Sequence, residues 1–181
     1  MGLMALRFQF DERKGTEALA YVAGKWPGIT AFYASKVLFF AEKSHLNTYG
    51  RPIVADTFVA MPNGPVPTTL YDFIRGNLGQ SGDPDSFIAA IDTTKYPALA
   101  SRRPADESVL SESDREALDE SIDFCRGKGF THLSQLTHQE RAWADAPNNG
   151  SMDYEKFIDE NNPNREEILE DAQAFAAYGV L

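Results

Sequence analysis

The chain has 181 residues, 43% of them hydrophobic and 12% aromatic, which is enough apolar material for one real core and excludes a disordered class. Its 27 acidic residues outnumber 17 basic ones, giving a net charge of −10. Nucleic-acid affinity comes mostly from Lys and Arg neutralising phosphates, so this balance argues against DNA or RNA as the main partner and suits a basic protein.

A short apolar opening (Leu3, Leu6, Phe8, Phe10) leads to a first predicted helix, Thr16–Lys25, stopped by Trp26-Pro27-Gly28. The second, Thr30–Leu46, carries apolar residues on most sides and is expected to be the centre of the fold. Ser35, Lys36, Glu42 and Lys43 form its polar stripe, with Phe39 in the middle. Tyr49–Pro67 follows, fixed at six points by Gly50, Pro52, Pro62, Gly64, Pro65 and Pro67 around a strand-like Thr57–Ala60. That restriction predicts a hairpin-like corner whose shape matters. A helix at Thr68–Arg75, a loop at Gly79–Asp85 and short strands at Phe87–Ile91 and Tyr96–Ala100 come next.

Ser111 or Ser113 opens a helix with a capping-box signature, with Leu118, Ile122 and Cys125 on its apolar face. Thr131–Thr137 reads as a short helix, and Thr137 with Glu140 as a capping box for Gln139–Asp145. A turn at Pro147–Gly150, a helical piece at Tyr154–Asp159 and an amphipathic helix capped by Asn164 complete the chain. The expected fold is mainly α with a small antiparallel β element, a single compact helical domain over 1–181. Its core motifs lie within 16–143 and its C-terminal helix over about 164–178.

Residues for chemistry are sparse. His45, His132 and His138 lack companion cysteines at zinc-ligand spacing, and Gly24, Gly28 and Gly64 fit no phosphate loop. Glu12-Arg13-Lys14 resembles the end of a nuclease motif without its partnering acid. Cys125, the single cysteine, excludes an internal disulfide and fits a reducing cytoplasm. A thiol nucleophile with His132 is weighed against burial on the apolar helix face, and burial is the default. No apolar run spans a bilayer, the first residues lack a signal-peptide pattern, and Leu6 stands where myristoylation needs Ser or Thr. A cytoplasmic protein without a membrane partner is expected.

Phe39 is either covered by the hairpin, the default, or a contact anchor. His138 and Trp143 either pack a short helix or border a groove. Arg51 and Asp56 either contact a partner or form a turn-stabilising ion pair.

The motif order K-V-L-F-F-A-E (Lys36–Glu42), Y-G-R-P-I (Tyr49–Ile53), F-V-A-M-P-N-G-P-V (Phe58–Val66), L-Y-D (Leu70–Asp72) and L-S-Q-L-T-H-Q-E-R-A-W (Leu133–Trp143) resembles the Panacea domain. This is the SocA-like antitoxin domain, also met in phage-associated proteins. The resemblance runs from about Thr16 to Trp143 and is weakest over Gly79–Pro104, one place for toxin choice. It implies a binding protein rather than an enzyme, an antitoxin that contacts a cognate protein toxin, with no cofactor and no metal. The SocA member implies a second mode, an adaptor delivering its toxin to a ClpXP-type protease. A hydrolase using His138 is the alternative from another class. The partner-binding candidates are Phe39, Tyr49, Arg51, Asp56, Asn63, Gly64, Pro65, Val66, His138 and Trp143.

Overall fold

The computed structural model describes residues 5–179. Leu3, the Met1-Gly2 pair and the terminal Val180-Leu181 lie outside the described residues. Eight α-helices, one 3₁₀ turn and two two-stranded antiparallel sheets are present among the described residues. Helix α1 (Glu12–Lys25) starts one turn earlier than Thr16, because the Asp11 carboxylate accepts the Lys14 amide at 2.9 Å and caps it.

Helix α2 (Ala31–Tyr49) is the centre of the fold, as its all-round apolar surface predicts. Its side chains meet α1, the first hairpin and the long helix α5 (Glu112–Arg126), and the Ser121 hydroxyl donates to the Val37 carbonyl at 2.7 Å. Phe39 is fully buried, with ring centroids 5.3 Å from Phe157 and 5.8 Å from Phe58. The covering reading therefore holds, and Phe39 is corrected from surface contact to core. The predicted polar stripe is also corrected: Ser35, Lys36 and Glu42 are buried.

Strands β1 (Phe58–Met61) and β2 (Gly64–Pro67) form the hairpin, in the register Phe58↔Pro67, Val59↔Val66, Ala60↔Pro65, Met61↔Gly64. Pro65 and Pro67 lack a donor, which restricts β2 to a sheet edge. The other edge of β1 is covered by the 149–152 segment, where Met152 N donates to Phe58 O at 2.8 Å and Ala60 N to Gly150 O at 3.0 Å. Helix α3 (Thr68–Ile74) continues directly from β2.

The predicted strand at Phe87–Ile91 is instead mostly helix α4 (Pro84–Ala90), capped by Asp83 with Pro84 in its first turn. Only Ile91–Asp92 (β3) pairs with Ala100–Ser101 (β4), so the Tyr96–Ala100 strand shrinks to its last residue. Ser111 is the residue that caps α5, in a full capping box with Asp114. Helices α6 (Phe130–His138) and α7 (Arg141–Ala144) follow, but the Thr137–Glu140 box does not form. The Thr137 hydroxyl bonds the Ser134 carbonyl, and the Glu140 carboxylate is taken by Lys43 at 2.6 Å.

After a 3₁₀ turn at Tyr154–Phe157, helix α8 (Arg165–Tyr178) buries Ile168 and Ala172. Asn164 stands at its N-cap position without a side-chain cap bond. Gly50 ends α2 in the left-handed region at φ +66°, and a Cβ there would sit 2.7 Å from Asp171 Cβ and 3.1 Å from the Ile168 carbonyl. Gly28 has φ +81° with open space around it. Gly28→Ala is expected to cost about 1 kcal/mol and Gly50→Ala roughly 2–4 kcal/mol, the difference being the α8 contact. Urea unfolding of both variants measures it, and equal losses would show that α8 yields.

Candidate functional site

The constrained corner is held from beneath by one carboxylate. The Glu42 carboxylate, on α2, accepts Ile53 N at 2.8 Å and Val54 N at 3.1 Å through Oε2, and Ala55 N at 2.8 Å through Oε1. The Tyr154 hydroxyl lies 2.9 Å from Glu42 Oε1 and 2.7 Å from the Asp56 carbonyl, two acceptors for its single proton. Burial raises the Glu42 carboxyl above its ordinary range, against the pull of the amides. Burial and the neighbouring Glu42 keep the phenol protonated.

Asp56 does the same service for α3. The N-cap residue of that helix is Pro67, whose side chain accepts no hydrogen bond. Asp56 supplies the missing acceptor from the strand side, taking Thr57 N at 2.7 Å, Thr69 N at 3.2 Å and Leu70 N at 2.9 Å. Burial raises its carboxyl too, opposed by those amides. Asp56 is therefore fully buried, and its candidacy as a partner contact is corrected. Nor does it pair with Arg51, which reaches Asp114 at 3.5 Å, Ser113 at 3.1 Å and Ser111 at 3.2 Å.

The hairpin loop is pinned through three of its carbonyls. Trp143 Nε1 donates to Met61 O at 3.0 Å, His138 Nε2 to Pro62 O at 2.9 Å, and Lys36 Nζ to Pro65 O at 2.9 Å. His138 and Trp143 stack with centroids 3.9 Å apart. Gly64, at φ +109°, lets this happen, since a Cβ there would meet the Thr137 hydroxyl and lie 2.8 Å from Lys36 Cε. Burial lowers the Lys36 ammonium to about 7, and its Nζ sits 4.6 Å from the Phe32 ring centroid.

Asn63, Gly64, Pro65, Val66, His138 and Trp143 thus gather at one end of α2. Of these, Asn63 is exposed, His138 and Trp143 are half-buried, and Gly64, Pro65 and Val66 are buried. Tyr49 and Arg51 are not with them. They lie about 20 Å away at the far end of the helix, given 1.5 Å per residue from Lys36. There Tyr49 is 47% exposed and packs on His45.

His45, which the sequence offers only as a scattered histidine, is buried in a charge knot. Its Nδ1 lies 2.8 Å from Arg51 O and its Nε2 2.9 Å from Ser113 Oγ and 3.3 Å from Asp114, which also pairs with Lys14 at 3.0 Å. Burial lowers the imidazole; at Asp114 burial is the largest influence and pushes upward, but the Lys14 ammonium and the Ser111 hydrogen bonds together lower the carboxyl. Cys125 is buried and its thiol is pushed up to about 12 by burial, which removes the nucleophile reading. His132 is exposed. Among the described residues no cluster of three His, Cys, Asp or Glu could hold a metal ion, and no helix is long and apolar enough to cross a membrane.

Two stability predictions follow from the pins. Tyr154→Phe and Glu42→Gln are each expected to cost about 1–3 kcal/mol in urea unfolding, and to be non-additive because they share one hydrogen-bond network. Strict additivity would show that the two side chains act apart. Lys36 carries a pH signature. The folded chain releases its proton near 7 while the unfolded lysine holds it to about 10.4, so the unfolded state binds more protons in between and stability rises with pH across that window, by on the order of 4 kcal/mol. Lys36→Met is expected to be more stable than wild type at pH 6 and to lose that advantage by pH 10. Parallel unfolding curves at both pH values would refute the assignment.

A family model described as antitoxin SocA-like, Panacea domain, matches residues 35–144. No curated protein and no solved structure matches the chain. The matched stretch runs from α2 to the end of α7 and contains Lys36, Glu42, Asp56, His138 and Trp143, each of which holds the main chain of the corner, the hairpin or the start of α3.

Proposed function

The chain belongs to the SocA-like antitoxin family of Panacea domains, and from that premise we propose that it is an antitoxin that neutralises a cognate protein toxin by direct binding. The observation that carries this reading is how the polar atoms of its motif residues are engaged. Glu42, Asp56, His138 and Trp143 are tied to main-chain groups of the corner, the start of α3 and the hairpin. Side chains so engaged build a stiff surface; a reacting centre needs a base aligned on a partner. His138 contacts a carbonyl and an indole face rather than a carboxylate, which disfavours the hydrolase alternative.

The binding surface is proposed at the hairpin end of α2, around Pro62 and Asn63, with His138 and Trp143 at its side. Preorganised main chain loses little entropy on association, which favours tight binding through a small rigid centre. A stable complex buries about 1,200–2,000 Å² in total, so the partner extends well beyond the hairpin. The whole chain is proposed to act as one domain in the cytoplasm.

Co-expression tests the reading. Growth arrest caused by the adjacent gene product is expected to be relieved by this protein, with the toxin still present in undiminished amount. Relief accompanied by loss of the toxin protein would favour the adaptor mode, in which a ClpXP-type protease removes it. Arrest that persists, or an adjacent product without toxicity, refutes the proposal.

A further inference from the structure

Beside the hairpin lies a cavity of about 280 Å³, between the start of α2, the loop before β4 and the start of α6. Its walls include Phe32, Val66, Tyr71, Tyr96 and Phe130, and Lys36 lines it. Tyr96 and Phe130 are 42% and 47% exposed, so the aromatic rim is open. The Tyr71 and Tyr96 hydroxyls are 3.1 Å apart, and the Arg75 guanidinium lies 5.1 Å from the Tyr96 ring centroid.

The charges of this cavity are unbalanced in an otherwise acidic chain. Acidic residues outnumber basic ones 27 to 17, yet Lys36, the one charged residue lining the cavity, has no carboxylate within 4.0 Å among the described residues. Lys36 is 1% exposed and has three N–H donors, of which the Pro65 carbonyl accepts one. The Phe32 face is the remaining attraction on offer. A desolvated amine in this position is costly, and the cost falls when an anion arrives. The volume is at or below the low end for small-molecule and cofactor pockets, and it suits one or two amino-acid side chains.

We propose that this cavity receives an acidic side chain of the toxin, a Glu or Asp beside an apolar residue, with the carboxylate held by Lys36 and the apolar neighbour on Phe130. This rests on the antitoxin reading and names the chemistry of its anchor.

The test has two arms. In the first, calorimetry measures the full chain binding the adjacent gene product, for wild type and Lys36→Met. Lys36→Met is expected to weaken binding about thirtyfold or more, with thermal unfolding confirming that it is folded. Unchanged affinity in Lys36→Met, with wild type still neutralising, overturns the cavity proposal and leaves the antitoxin reading standing. The second arm needs no toxin. N-acetyl-Phe-Glu-amide and N-acetyl-Phe-Gln-amide are titrated into ¹⁵N-labelled protein. The Glu peptide is expected to shift the amides of Phe32, Gly64 and Phe130, the Gln peptide to bind at least about fivefold more weakly, and Lys36→Met to abolish the difference. Equal behaviour of the two peptides, or shifts elsewhere, overturns the proposal whatever the first arm gives.

Discussion

Three consecutive main-chain amides, at Ile53, Val54 and Ala55, converge on the single carboxyl of Glu42, and the rest of the structure is arranged around that convergence. An extended segment buried against a helix has nowhere to place its donors unless the helix supplies acceptors, and helix carbonyls are already used. One acid on α2 resolves this, and Ala55, at φ +60°, takes the strained turn that aims the third amide. Tyr154 then ties Glu42 to Asp56 O, and Asp56 caps α3. A chain of four groups thus links the middle of α2, the corner, the 3₁₀ turn and α3.

The hairpin uses the opposite polarity. There the main chain offers carbonyls, at Met61, Pro62 and Pro65, and the side chains supply donors from α2, α6 and α7. Because Pro62, Pro65 and Pro67 also fix their own φ, the loop is restrained twice, by ring closure and by outside bonds. Such a loop resists local opening, which suits a surface that must be found ready-made by a partner. The two pinned regions share α2, so the helix transmits rigidity from one to the other.

Much of this frame is visible in the residues themselves. The apolar run of α2 marks a buried centre, the S-E-S-D-R-E stretch marks a helix start at Ser111 or Ser113, and the Pro and Gly spacing marks the hairpin. What stays hidden is where the buried polar atoms go. Lys36 and Glu42 look like a solvated stripe because their partners are main-chain groups 29 and 11–13 residues away, which leave no side-chain signature. Arg51 looks like a partner for Asp56 because they are neighbours in sequence, while its actual acid comes 63 residues later. Phe87–Ile91 is too short for periodicity to type, and the Asp83-Pro84 start that makes it a helix reads equally well as a loop. One usable signal was present: a helix apolar on every side is buried, so its few polar residues must find partners inside.

The same accounting separates the two buried ionisable groups of α2. Glu42 is surrounded by three amides and a phenol, which fill both oxygens and leave no room for another ligand. Lys36 has one carbonyl and one aromatic face for a group built to donate three times, and it borders a cavity. A fold gains nothing in stability from an incompletely matched ammonium, because an apolar side chain of equal volume packs there at lower cost. What its polar head does within the fold is hold the Pro65 carbonyl. Glu42 is thus wholly engaged by the fold, whereas Lys36 pins the hairpin and, as proposed, keeps donors for a partner's carboxylate, although six positions apart on one helix both read in the sequence as charges of a polar stripe.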